Sequence, residues 1–160
     1  MSIKVGDRLP SVTLTTMTDK GPKPLTTTEL CEGKKVVLFA VPGAFTPTCS
    51  VQHLPGFINN TQSFKDKGVD SVACVSVNDS FVMGAWGTDR GVGEDVLMLS
   101  DGNGEFTAAI GLEMDGSGFG LGTRSQRYAM IVDDGVVSTL NVESGPGLDV
   151  SSAETILSKL

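Results

Sequence analysis

Two short apolar runs most constrain what this chain can fold into: "VVLFAV" at residues 36–41, entered from Lys34-Lys35, and "VDSVACVSV" at residues 69–77. Short, nearly continuous apolar runs are the pattern of buried strands. Between them, Val51, Leu54, Ile58, Thr61 and Phe64 recur at helical spacing, which predicts a helix over 47–67 that Gly68 stops. Pro55 falls inside it and predicts a kink. Downstream, Asn78-Asp79 should cap a helix over 80–87, "DVLMLSD" (95–101) reads as a third strand, and Glu105 to Ile110 as a short helix. "RYAMIV" and "VVSTLNV" flank Asp133-Asp134-Gly135, the strongest hairpin signal in the chain. Ser151-Ser152-Ala153-Glu154 reads as a capping box that opens a C-terminal helix. Strands alternating with helices and closing on a hairpin predict an α/β fold, a mixed central sheet flanked by helices. No linker or composition break divides residues 1–160, so a single domain is expected.

Charge and cysteine usage exclude several function classes. The formal net charge is −7 and the Lys and Arg residues are scattered, whereas nucleic acid or an anionic membrane surface needs a basic footprint. "MSIKVGDRLP" has no apolar core of a secretory signal, and the longest apolar run, six residues, is far short of a membrane span. Three widely spaced cysteines, Cys31, Cys49 and Cys74, do not make a disulfide scaffold. A single histidine argues against a zinc site. The expectation is a reducing, cytoplasmic compartment, no zinc site, and one cysteine doing chemistry.

That cysteine sits in "VPGAFTPTCS", residues 41–50, directly after the first buried strand. Thr46 is a good N-cap and Pro47 a good first helical residue. Thr48 and Cys49 then fall in the first helical turn, where backbone N–H groups lack intrahelical partners. A thiolate there meets free donors and the positive end of the helix dipole. Ionisation alone brings little rate, because nucleophilicity falls as the anion is stabilised. Fast chemistry needs further groups: the Thr46 hydroxyl three residues before the sulfur, Pro42 as a shield from solvent, and a fixed positive charge. Such a set suits attack on an O–O bond, where negative charge grows on the departing oxygen.

"PGAFTPTCS" closely resembles the active-site motif of peroxiredoxins, specifically of the type II (five-like) subfamily. The resemblance continues through "HLPGF" (53–57), "KGVDSVACVSVND" (67–79), "FVMGAW" (81–86), "RYAMIVDDG" (127–135) and "LNVE" (140–143), nearly the whole chain. It implies a thioredoxin-like fold and a thiol-dependent peroxidase. Such an enzyme reduces hydrogen peroxide and alkyl hydroperoxides through a cysteine sulfenic acid, without metal or organic cofactor. Carried over by position, Cys49 is the peroxidatic cysteine, Thr46 and Arg127 its hydrogen-bonding partners, and Pro42 its shield. A lone arginine is ordinarily a surface residue, and it is the resemblance that singles out Arg127. Arg124 is a weaker candidate for shaping the same field.

The resolving step is less constrained. Cys74 stands 25 residues after Cys49, the separation at which some plant members carry a proposed resolving partner. Mid-strand placement favours a core cysteine. Animal-type members place theirs late in the chain, where this sequence has Val150. Recycling by glutaredoxin with glutathione, or by thioredoxin, is therefore expected. Cys31 matches no catalytic position. Subfamily members often form homodimers through loops around the active site, for which Phe45, Phe81, Trp86 and Phe119 are candidates unless they belong to the core.

Other readings have weaker support. His53, at i+4 from Cys49, suggests a Cys-His acyl-transfer pair, but a base one turn deeper points away from an incoming substrate. A half-buried histidine supporting the turn fits better. "GSGFGLG" lacks dinucleotide-binding spacing and is expected to lie within a loop over 111–123. A thioredoxin-like disulfide reductase needs C-x-x-C, and Thr46 stands where the first cysteine would be. A non-enzymatic redox sensor or chaperone would use the same reactive cysteine.

Overall fold

The structure, a computed structural model, describes residues 1–160. Its centre is a seven-stranded mixed sheet ordered β2-β1-β5-β4-β3-β8-β9. The members are β1 Thr13–Thr18, β2 Gly21–Thr26, β3 Lys35–Ala40, β4 Ser71–Ser76, β5 Leu97–Ser100, β8 Tyr128–Asp133 and β9 Val136–Val142. β3, β4 and β5 run parallel, while β8 lies antiparallel against β3 and β1 antiparallel against β5. The two apolar runs are therefore central strands. Their pleat sends alternate residues to opposite faces. Val37, Phe39 and Val41 join Val72, Cys74, Ala129 and Ile131 in one core, whereas Val36, Leu38 and Ala40 join Ala73, Val75, Met130 and Val132 in the other. Helices cover both faces because neither can be left in water.

The segment read as one kinked helix is three pieces. Pro47 and Thr48 begin it, Cys49–His53 forms a π-helical turn, and α2 (Leu54–Asn59) and α3 (Thr61–Asp66) follow. Pro55 has no N–H to donate and its ring crowds the carbonyl four residues back. The chain accommodates it with a wider turn, in which the Leu54 N–H bonds the Cys49 carbonyl five residues earlier. Asn60, at φ −111° and ψ 8°, then separates α2 from α3. Beneath this segment Phe39, Phe57 and Phe64 form a stacked ladder, with ring centroids 4.0 and 5.7 Å apart.

Other elements follow local chemistry. The Asp79 side chain caps α4 (Ser80–Asp89) by accepting from Val82 N, two residues beyond the expected helix end included. Helix α5 spans Glu105–Ile110. The hairpin turn has Asp134 at φ 49° and Gly135 at φ 81°, the conformation that Asp-Gly tolerates. Two expectations need correction, and one further feature had no expectation. The C-terminal helix α6 (Ala153–Leu157) is capped by Ser152, whose Oγ accepts from Thr155 N, so the cap lies one residue later than the capping-box pattern places it. Within 111–123, and just beyond it, a short ribbon forms from β6 (Glu113–Asp115) and β7 (Thr123–Ser125), with a single 3₁₀ turn between. Finally, residues 13–26 form an unforeseen hairpin. β1 buries only Leu14, and β2, "GPKPLT", keeps two prolines because it is the sheet edge. α1 (Thr27–Cys31) closes it with a capping box at Thr26.

Candidate active site

Strand β3 ends at Ala40, and the next eight residues build one wall of the site. The Ala44 N–H donates to Asn78 Oδ1 at 3.0 Å, which ties the loop to the end of β4. Phe45 sits at φ 64°, a strained conformation for a bulky side chain, and its half-exposed ring lies 6.4 Å from that of Trp86. The reversal lets the Thr46 carbonyl accept from Ser50 N at 2.9 Å, so Thr46 occupies the N-cap position of the helix start. Its hydroxyl does not cap a backbone N–H. It donates to the Gly43 carbonyl at 2.6 Å, leaving its lone pairs as acceptors. Trp86 Nε1 and Arg90 Nη1 bond the side chain and the carbonyl of Ser50, holding the first turn against α4.

The opposite wall comes from β8. Its antiparallel register pairs Ala40 with Tyr128, so Arg127 enters directly across from the end of β3. Arg127 Nη2 donates to Cys49 Sγ at 3.1 Å, and both residues are buried. No carboxylate forms an ion pair with Arg127. A buried guanidinium lacking an acidic neighbour stabilises an anion strongly, and the sulfur is the group it touches. Arg127 Nε has no partner among the protein's groups. Nε and Nη2 share one edge of the planar guanidinium, so a donor stands free on a side that also holds the sulfur.

His53 completes the arrangement. It is fully buried, with Arg127 Nη1 at 3.0 Å from Nδ1 and the Ser151 carbonyl at 2.9 Å from Nε2. Arg127 has only donors and Ser151 O only accepts, so the ring carries its proton on Nε2 and receives at Nδ1. Burial, and then the Arg127 charge, push its pKa down to about 4, against the pull of Ser151 and Glu143, so the imidazole is neutral at physiological pH.

Of the residues expected at the site, the structure brings Arg127 onto Cys49. Thr46 and Pro42 lie in the adjoining loop, where Thr46 bonds Gly43 rather than the sulfur. Arg124 does not reach Cys49: its Nε donates to Leu121 O at 2.9 Å and its Nη1 to Pro42 O at 3.4 Å, joining the ribbon to the loop. Cys74 lies in the same buried cluster as Cys49. Burial, and the nearby Cys49, push its thiol well above the ordinary value. Cys31 is buried on the other side of the sheet and pushed up to about 11 by burial. Trp86 is fully buried, whereas Phe45, Phe81 and Phe119 are exposed. The largest cleft, about 840 Å³, lies between β1 and α4 beside Met17, Gly87 and Met98, away from the sulfur.

Sequence reasoning underrated His53, which is fully rather than half buried, and did not find Glu143 or Ser151. The i+4 spacing of His53 was the visible signal; the identity of its partners was not, because they lie 74 and 98 residues away.

A family model described as Redoxin matches residues 4–157. The chain is 52% identical over 163 residues to chloroplastic Peroxiredoxin-2E of Arabidopsis thaliana, covering 99% of this chain and 70% of that protein. Among solved structures, reduced Prx3 in complex with H2O2 from Vibrio vulnificus is 58% identical with a TM-score of 0.94, covering 98% of each chain. Peroxiredoxin 5 from Alvinella pompejana is 35% identical with a TM-score of 0.85, covering 97% of this chain and 96% of that one.

Proposed function

Because the chain belongs to the Redoxin family, as a thioredoxin-like peroxiredoxin of the type II subfamily and hence a thiol-dependent antioxidant peroxidase, we propose that Cys49 is its peroxidatic cysteine. The observation that carries this reading is the 3.1 Å contact between Cys49 Sγ and a buried, carboxylate-free Arg127. The Cys49 thiolate attacks the terminal oxygen of a hydroperoxide. The S–O bond forms as the O–O bond breaks, sulfur is oxidised to the sulfenic acid, and the departing oxygen takes from water the proton that the thiol released on ionising, leaving as water or alcohol. Arg127 donates to the sulfur and, through its unpartnered Nε, to oxygen that gains charge. The Thr46 hydroxyl, committed as donor to Gly43, accepts the O–H of the attacked oxygen. Pro42 shields the sulfur from water. Cys49 is wholly buried, so local opening of the 41–48 loop admits the peroxide.

Hydrogen peroxide and alkyl hydroperoxides are the proposed substrates, since nothing in this chemistry requires recognition beyond the O–O bond. A first external thiol displaces water from the sulfenic acid, forming a mixed disulfide, and a second releases Cys49 as thiol. Glutaredoxin with glutathione, or thioredoxin, are the proposed donors. Val150 offers no late resolving thiol, and Cys74 is held in the core with a pKa that disfavours its thiolate. Three unpaired cysteines fit a reducing compartment such as the cytoplasm. Intact mass after one equivalent of tert-butyl hydroperoxide tests this reading. The wild type should gain one oxygen; loss of two hydrogens within a monomer would instead make Cys74 the resolving partner.

Two further expectations follow. Thr46→Val keeps the shape of the side chain but removes the acceptor, and should lower kcat/KM for tert-butyl hydroperoxide about 100-fold. Stability should fall by only about 1 kcal/mol, for the lost bond to Gly43. Unchanged kcat/KM would remove Thr46 from the mechanism. Phe45, Phe81 and Phe119, with relative exposures of 51%, 67% and 89%, fit a homodimer contact of the kind common in the subfamily. Sedimentation should show a dimer at micromolar concentration, and a monomer there would refute it.

A further inference from the structure

We propose that Glu143 is a positioning residue for peroxide reduction. By pinning residues 149–151 it fixes the Ser151 carbonyl, which sets the tautomer of His53 and, through it, the orientation of the Arg127 guanidinium. The inference rests on the reading of Cys49 and Arg127 given above.

The guanidinium needs something to hold it. Arg127 has no carboxylate partner, and its Nη1 has one anchor, Nδ1 of His53. That anchor works only while Nδ1 carries no proton, since an N–H there would face another donor. The proton must therefore stay on Nε2, and the acceptor that keeps it there is the Ser151 carbonyl. Ser151 follows residues 144–150, which hold Gly145, Pro146 and Gly147 and are exposed apart from the half-buried Leu148. Such a segment does not fix a carbonyl by its own packing, and although Ser151 itself is buried where α6 begins, the direction of its carbonyl is set by what its backbone and hydroxyl bond.

Glu143 supplies the order. Its single oxygen Oε2 accepts from Asp149 N at 2.9 Å, Ser151 N at 2.8 Å and Ser151 Oγ at 2.6 Å. Asn141 Nδ2 adds a bond to the Val150 carbonyl at 2.8 Å. Three donors converging on one oxygen favour full negative charge there, which a carboxylate oxygen carries and a neutral amide oxygen does not. Burial alone would raise the Glu143 carboxyl, but the bonds from Ser151 and Asp149 outweigh it and hold the group below the usual range, so it stays ionised. The Glu143 N–H also donates to the Arg127 carbonyl at 2.9 Å, extending the β8–β9 ladder. One residue thus holds the backbone of Arg127 and, through the loop and His53, its side chain. The displaced helix cap is part of the same arrangement: the Ser151 hydroxyl serves Glu143, and capping passes to Ser152.

The chain has a single histidine, so its imidazole nitrogen chemical shifts report His53 without ambiguity. The wild type should show a protonated Nε2 and a bare Nδ1. In Glu143→Ala the tautomers should mix, and kcat/KM for tert-butyl hydroperoxide should fall about 10- to 100-fold. Glu143→Gln should fall between the two, and it carries the same test if Glu143→Ala folds poorly. Unchanged imidazole signals together with an undiminished rate in both variants would overturn the proposal. So would a slower rate with an unchanged tautomer, because the loss would then arise elsewhere. Failure of the underlying reading is separable. Cys49→Ser that still reduced peroxide would defeat the assignment of Cys49 and with it the proposed role in catalysis, whereas the tautomer measurement involves no peroxide.

Discussion

Cys49→Ser protein is expected to leave tert-butyl hydroperoxide intact and to gain no oxygen in a single turnover, a loss of at least about 10,000-fold. A serine hydroxyl is not ionised at neutral pH and does not attack an O–O bond, whereas a thiolate does. The fold should survive. The buried hydroxyl inherits the Arg127 Nη2 donor and the volume change is small, so the cost should be about 1 kcal/mol. Intact mass separates the possibilities cleanly, because the variant keeps Cys31 and Cys74. If it gained an oxygen as fast as the wild type, one of those thiols would be the nucleophile. The expectation that they stay silent has a physical basis: burial drives both thiols away from ionisation, Cys31 to about 11 and Cys74 well above the ordinary value.

Arg127→Gln should show the second largest effect, a fall in kcat/KM of about 100- to 1,000-fold with the protein still folded. The amide retains a donor but neither the charge nor the fork that serves His53 and Cys49 together. Gln removes the desolvation cost of the buried cation but leaves Cys49 Sγ and His53 Nδ1 sharing one amide donor. The two effects oppose each other, so stability should change by no more than about 1 kcal/mol. That prediction separates a catalytic arginine from a merely structural one, whose loss would lower stability with activity. His53 offers an independent readout. The Arg127 charge is one of two causes that lower its pKa, so the imidazole should titrate above about 4 in the variant, though below its ordinary value because burial remains. Activity equal to wild type would remove Arg127 from the mechanism. Arg127→Lys should recover only part of the rate, since an ammonium restores charge without the planar geometry.

Much of this molecule is legible in local sequence. The two apolar runs announce central strands because residues buried on both faces leave no polar alternation, and β3 and β4 are those strands. The Asp-Gly hairpin and the Asp79 cap are equally local, each set by a few dihedrals and one side-chain acceptor. Residues 42–49 declare a staged cysteine by the same kind of logic: a loop, a cap, a proline, and a thiol in the first turn. The edge hairpin at 13–26 is not legible because it buries one side chain and carries two prolines, and the ribbon at 113–125 is held by backbone bonds that leave no hydrophobic pattern.

What the sequence by itself determined, then, is the order of the core strands and helices from β3 onward, the 113–125 ribbon excepted, and the placing of Cys49 at a helix start, because propensity, capping and burial period act over a few residues. What surrounds the sulfur is decided by tertiary structure. Arg127 lies 78 residues from Cys49 in the chain and reaches it because Ala40 pairs with Tyr128 across β3 and β8. His53 faces Arg127 from the π-helical turn that precedes Pro55. Its other nitrogen meets a carbonyl 98 residues away that Glu143 holds in place. Each of these contacts depends on the register of distant strands and on the shared cost of burying unpaired polar groups, quantities that exist only once the sheet has formed.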